Sequence, residues 1–285
     1  RHPMPYGNLE MQRVQRFAST QDLVDHDCTI EEREEYEPYV DMGIPIYAGV
    51  DYQGILDESS READIVLWDG GNNDFSFIKP DLDIVVVDAL RAGHEIDYFP
   101  GEVNFRRADV LVISKAGSAE PGALAGIRER AAELNPDAPL CTADLEIQVD
   151  QPERLQGQRV LVIEDGPTVT HGGMSFGAGS VAAERAGATP VDPRPYAVGT
   201  IRDTFEAYPH MKRILPAMGY SETQREALAE TINACCEAEN VGCIVDASPA
   251  RLDLMLDLDV PLARVVYRFR QIDGPALDEL VRKLI

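Results

Sequence analysis

The feature that most constrains this chain is a set of short, continuous apolar runs. They are Ile65-Val66-Leu67-Trp68, Ile84-Val85-Val86-Val87, Val110-Leu111-Val112-Ile113, Val160-Leu161-Val162-Ile163 and Cys243-Ile244-Val245, with Ala263 to Tyr267 as a more polar candidate. The runs do not alternate between apolar and polar residues. Each therefore reads as a strand buried on both faces, as in a parallel sheet covered by helices. Helical segments separate them. Thr29-Ile30-Glu31-Glu32 and Ser221-Glu222-Thr223-Gln224 are capping-box patterns that open helices, and residues 121–134, 178–187 and 275–284 also read as helices. Alternating strands and helices predict an α/β fold with a doubly wound, mainly parallel sheet in three layers.

The 285 residues suffice for one large domain or two ordinary ones. The polar stretch Asp150 to Gln158 is the best place for a boundary, which divides the chain into residues 1–157 and 158–285. No apolar run reaches the length of a membrane span and none reads as a signal peptide, so a soluble, cytoplasmic protein is expected. The net charge of -24 disfavours nucleic acid and anionic membranes as partners. Of the 26 basic residues, only Lys79, Lys115, Lys212 and Lys283 are lysines. That bias fits either a halophile-like, salt-rich cytoplasm or a GC-rich genome. The odd count of five cysteines, without metal-ligand spacing, points to buried free thiols.

The runs end alike. Asp69, Asp88, Ser114-Lys115, Glu164-Asp165 and Asp246 follow them directly. Ligands of open α/β sheets bind beyond the carboxyl ends of strands, so this set marks a candidate site. Any one of these residues alone is more simply a polar strand cap. Asp69 followed by Gly70, Gly71, Asn72, Asn73 and Asp74 has the form of a Walker B segment, whose carboxylate holds Mg²⁺. The loop Asp165 to Gly179, with Thr168, Thr170, His171, Gly172 and Gly173, leads into a helix and is the expected phosphate seat. The plainer reading is a turn closing a strand–helix connection. The cations His2, Arg91, His94, Arg106, Arg107, Lys115, His171 and Arg194 are candidates for a polyanionic substrate, although any one of them is more often a surface ion pair.

Six segments carry a family resemblance: residues 1–7, 29–36, 68–75, 164–168, 170–174 and 191–196. They resemble the cyclic 2,3-diphosphoglycerate synthetase family, often described as predicted GTPases. The resemblance implies a P-loop NTPase-like fold and an ATP- and Mg²⁺-dependent ligase that closes a polyphosphorylated acid into a cyclic phosphoanhydride. In that family an N-terminal domain and the P-loop precede the segment that starts here at Arg1. A truncated chain is therefore expected, and no Gly-Lys-Ser/Thr occurs in it. The resemblance further implies Asp69 as metal ligand and Asp69, Asp165 and His171 as catalytic residues. His2, Arg91, His94, Thr170, Gly172, Gly173 and Arg194 would hold a phosphorylated small-molecule substrate, and Gly70, Gly71, Asn72 and Lys115 the nucleotide. Gly117 stands where GTPases of this class carry a guanine-reading Asp, so ATP is expected over GTP. A homo-oligomer, in the simplest case a dimer, is the expected assembly. The alternatives are a regulatory or metal-delivery NTPase and a non-catalytic, polyphosphate-binding fragment.

Overall fold

The computed structural model describes residues 8–70, 74–218 and 221–284. Its strands are β1 (Gln15–Phe17), β2 (Ile46–Ala48), β3 (Ile84–Asp88), β4 (Val110–Ser114), β5 (Leu140–Val149), β6 (Arg159–Asp165), β7 (Thr189–Pro190), β8 (Ile214–Ala217), β9 (Cys243–Ala247) and β10 (Leu262–Asp273). Helices fill most of the connections, so the fold is α/β, three-layered and doubly wound, with mainly parallel strands.

Two compact units form. The first comprises residues 1–15, 47–146 and 268–285, and the second residues 16–46 and 147–267. In the first unit β3 pairs parallel with β4, Ile84 against Val110, and β4 pairs parallel with β5, Leu111 against Leu140. Leu111, Ile113, Phe105 and Ile127 are fully buried there. In the second unit β6 is central. It pairs parallel with β9 on one side and with β7 and β8 on the other, and β10 pairs parallel with β9. Val160 to Ile163 are all fully buried, as a continuous apolar run demands of a central strand. Burial of each of these side chains contributes roughly 1.5–3 kcal/mol relative to exposure.

The helix Glu222–Glu239 shows how sequence specifies an element. Ser221 and Gln224 satisfy each other's backbone N–H groups in a capping box. Ala227, Leu228, Thr231, Ile232, Cys235 and Cys236 then recur at helical spacing and form its buried face. Asn240, at φ 51°, ends the helix in the left-handed conformation. Cys141, Cys235, Cys236 and Cys243 are buried free thiols, and burial pushes Cys235 and Cys236 up to about 12.

One run departs from the expectation. Ile65 to Trp68 is not a strand, and Leu67 is 76% exposed. A strand exists only with a partner ladder, and composition cannot supply one. Trp68 instead packs edge-on against Tyr52 and Phe77, at ring separations of 5.6 and 5.9 Å. β3 has a related mismatch: its run reads as doubly buried, yet Ile84 and Val86 are exposed.

Candidate functional site

The parallel strands of the second unit bring Glu164, Asp165 and Asp246 to one carboxyl edge. Registry sets their directions. Asp246 is level with Ile163 and with Arg264, whereas Glu164 is level with Ala247. Side chains level across a ladder share a face, so Asp246 and Arg264 point to one side of the sheet and Glu164 to the other.

Glu164 is almost wholly buried and turns to the start of the helix Ala178–Arg185. Its Oε1 accepts from Gly177 N (3.0 Å), Ser180 N (2.8 Å) and Ser180 Oγ (2.8 Å), and its Oε2 from Gly179 N (3.2 Å). Burial raises its pKa, and these hydrogen bonds oppose the rise. The helix N-terminus expected to hold a phosphate thus holds the chain's own carboxylate. Gly177 permits this, because a Cβ there would lie 2.3 Å from Glu164 Oε2.

The glycines of the preceding loop serve a turn. A Cβ on Gly172 would meet the Thr168 carbonyl oxygen at 2.3 Å. Gly173 has φ +67°, and its N–H donates to Thr170 O. Around this turn Asp165, Thr168, Thr170, His171 and Tyr208 come together. Thr168 Oγ1 donates to Asp165 Oδ2 at 2.5 Å. Thr170 is buried and its hydroxyl donates to Gly166 O at 2.7 Å. A hydroxyl has one proton, so Thr170 Oγ1, 3.2 Å from His171 Nδ1, accepts from that nitrogen. In neutral His171 the proton then sits on Nδ1, and Nε2 accepts from the Tyr208 hydroxyl at 3.3 Å. The network orients His171 with a basic nitrogen at an exposed position. No sequence signal marks Tyr208, which lies 37 residues from His171.

In the first unit Asp88, at the end of β3, accepts from Leu90 N (3.0 Å) through Oδ1 and from Lys115 Nζ (2.8 Å) through Oδ2. A cavity of about 470 Å³ opens beside it, lined by Val85 to Asp88, Arg91, His94, Glu95, Tyr98, Gly101 and Phe105. Glu95 is held by Arg130, whose Nε donates to Oε1 at 2.6 Å, and by Gly93 N, which donates to Oε2 at 2.7 Å. His94 stands edge-on to Tyr98 at 5.0 Å. Across the same unit, a side chain on Gly117 would meet the Asp144 carboxylate at 2.2 Å, so β5 supplies an acid next to the position where the sequence has none.

The expected site residues are shared between the two units. Arg91 and His94 line one cavity, and Lys115 is tied to Asp88 at its rim. In the second unit Asp165 is bonded to Thr168, and His171 to Thr170. Arg194 is held by Asp192, with Nε and Nη2 at 2.8 and 2.5 Å from its two oxygens, and this fork lowers the Asp192 pKa. Arg106 pairs with Glu102 and Arg107 with Asp83, as surface cations usually do. Asp69 and Gly70 lie in exposed coil. His2, Gly71 and Asn72 lie outside the described residues. Among the described residues no three His, Cys, Asp or Glu side chains are grouped to hold a metal ion. No helix among them is long and apolar enough to cross a membrane.

No known protein-family profile matches the chain. Over 284 residues, 99% of its length, it is 52% identical to arginine synthetase ArcE of Thermococcus kodakarensis. The chain spans 62% of that relative's length. This likeness corrects the assignment to the cyclic 2,3-diphosphoglycerate synthetases. Identity at half of all positions outweighs six short motifs, whose turns and strand ends are as much a matter of scaffold as of reaction.

Proposed function

We propose that the chain is the body of a ligase-type enzyme that makes arginine. The 52% identity over nearly its whole length to a protein named arginine synthetase carries this reading. A condensation that forms arginine in water needs a driving reaction, and ATP with Mg²⁺ is the co-substrate we propose. Mg²⁺ commonly arrives on nucleotide phosphates and needs only one or two protein carboxylates, with Asp69 the first to test. His171, oriented by Thr170, is our candidate proton acceptor for an attacking nitrogen, which would take the place of the Tyr208 hydroxyl at Nε2.

Arginine formation and nucleotide consumption should be measured together, with a panel of amino-acid precursors and ammonium. The reading requires arginine to appear in proportion to ATP consumed. Steady ATP hydrolysis with no arginine, across the panel, would refute it. Running the same assay with GTP tests whether Asp144 restores the guanine reading that Gly117 lacks.

A further inference from the structure

We propose that the cavity of the first unit is the seat of the amino-acid substrate, with Arg91 receiving its α-carboxylate. This inference rests on the synthetase reading and goes further by placing one substrate on named residues.

Each carboxylate that lines the cavity already has a partner. The carboxylate of Glu95 is used on both oxygens, by Arg130 and by Gly93 N. Asp88 shares Oδ2 with Lys115 and receives one backbone N–H on Oδ1, which leaves acceptor capacity on both oxygens. Arg91 has no hydrogen bond or ion pair with any described residue, and it lines the cavity. Other exposed arginines, such as Arg185 and Arg225, also stand without a carboxylate among the described residues; Arg91 differs in lining a cavity, where a guanidinium can receive an external oxyanion.

The other walls narrow the oxyanion to a class. Two carboxylates, Asp88 and Glu95, line the same space. A nucleoside triphosphate would bring three or four negative charges against them. A zwitterion does not meet that repulsion: its carboxylate pairs with Arg91 and its ammonium turns to Asp88. Val85, Val87 and Phe105 supply the apolar wall that an aliphatic side chain needs. The volume of about 470 Å³ lies within the range of small-molecule sites, roughly 300–1,000 Å³. A cation, an anion and an apolar wall around one void are what recognition of an α-amino acid requires.

The test is calorimetry on the whole chain with L-arginine, with agmatine, which lacks the α-carboxylate, and with inorganic phosphate. L-arginine should bind, and agmatine should bind at least about tenfold more weakly, about 1.4 kcal/mol. Arg91→Ala should weaken L-arginine by a similar factor and leave agmatine unchanged, whereas a structural role would weaken both alike. Arg91→Lys should recover part of the loss. Arg91 is exposed, and circular dichroism will show that its variants fold. Unchanged L-arginine binding in Arg91→Ala overturns the cavity assignment and leaves the synthetase reading standing. Phosphate that binds more tightly than L-arginine and is lost in Arg91→Ala overturns the amino-acid class. Absent L-arginine binding in a protein that forms arginine also overturns the seat alone. Absence of both overturns the seat together with the reading beneath it.

Discussion

Asp246 offers a pH-dependent test of how the second unit is held together. It is wholly buried. Oδ1 accepts from Ser248 N (3.0 Å) and Ser248 Oγ (2.6 Å), while Oδ2 has no hydrogen-bond partner among the described residues. Burial pushes its carboxyl from the ordinary 3.8 up to about 7, against the opposing pull of Ser248 and Arg264. The folded state therefore holds this proton more tightly than the unfolded chain does. The group's contribution is complete below about pH 4 and is lost as pH rises toward 7. The rise corresponds to roughly 4 kcal/mol, of which about half is lost between pH 5.5 and 8. That window lies above the isoelectric point near 4.5, where the chain retains its charge. Asp246→Asn keeps the acceptor for Ser248 and removes the titration. Urea unfolding of both proteins across this window should show the variant gaining about 2 kcal/mol relative to wild type from pH 5.5 to 8. Subtraction cancels the other carboxyl groups, including Glu164, whose pKa is also raised by burial. The attraction between ionised Asp246 and Arg264 is already contained in this shift, since it lowers the Asp246 pKa. Stability curves that stay parallel across the window would refute the reasoning.

Glu164→Gln replaces one acceptor oxygen with an amide donor facing backbone N–H groups, and should cost about 3 kcal/mol in urea unfolding at neutral pH. Gly177→Ala drives a Cβ into the same carboxylate and should cost a similar amount. The double variant Glu164→Ala with Gly177→Ala should be less destabilised than the sum of the two single changes, which a double-mutant cycle will measure. Arg130→Ala strips the partner from Glu95, whose side chain is 4% exposed, and should lower stability by about 3 kcal/mol; a loss below about 1 kcal/mol would mean that the pair is only a surface contact.

The strands that can be read directly from the sequence are those whose runs satisfy both faces at once. Val110 to Ile113 and Val160 to Ile163 are buried as their composition demands. β5 escapes the same reasoning because Asp144, Glu146 and Gln148 interrupt its apolar residues. β8 escapes because it is short and contains Pro216. Ile65 to Trp68 has strand composition without a ladder, a distinction that lies in the partner and not in the run. The candidate site was legible only as residue types at strand ends. His171 is bonded by its neighbour Thr170, but the hydroxyl at its other nitrogen comes from Tyr208, across a connection whose path no spacing rule gives.

The loop of Gly172 and Gly173 shows why sequence overstates vacant anion sites in a chain of this composition. Glycines before a helix predict free N–H groups, and the prediction is sound as local chemistry. With almost twice as many acids as bases, however, the nearest anion is the protein itself. Glu164 fills the start of the helix Ala178–Arg185, Asp192 fills the fork of Arg194, Asp88 meets Lys115, and Arg251 is shared between Asp253 and Asp41. Each such carboxylate lowers the affinity of its position for an external phosphate, because the ligand must first displace a partner already in place. Arg91 is set apart by its place, for it lines a cavity beside two carboxylates, Asp88 and Glu95, which bind Lys115 and Arg130. A guanidinium on a cavity wall, with an apolar face and a partly free carboxylate across the same void, is thus where an external α-carboxylate would bind.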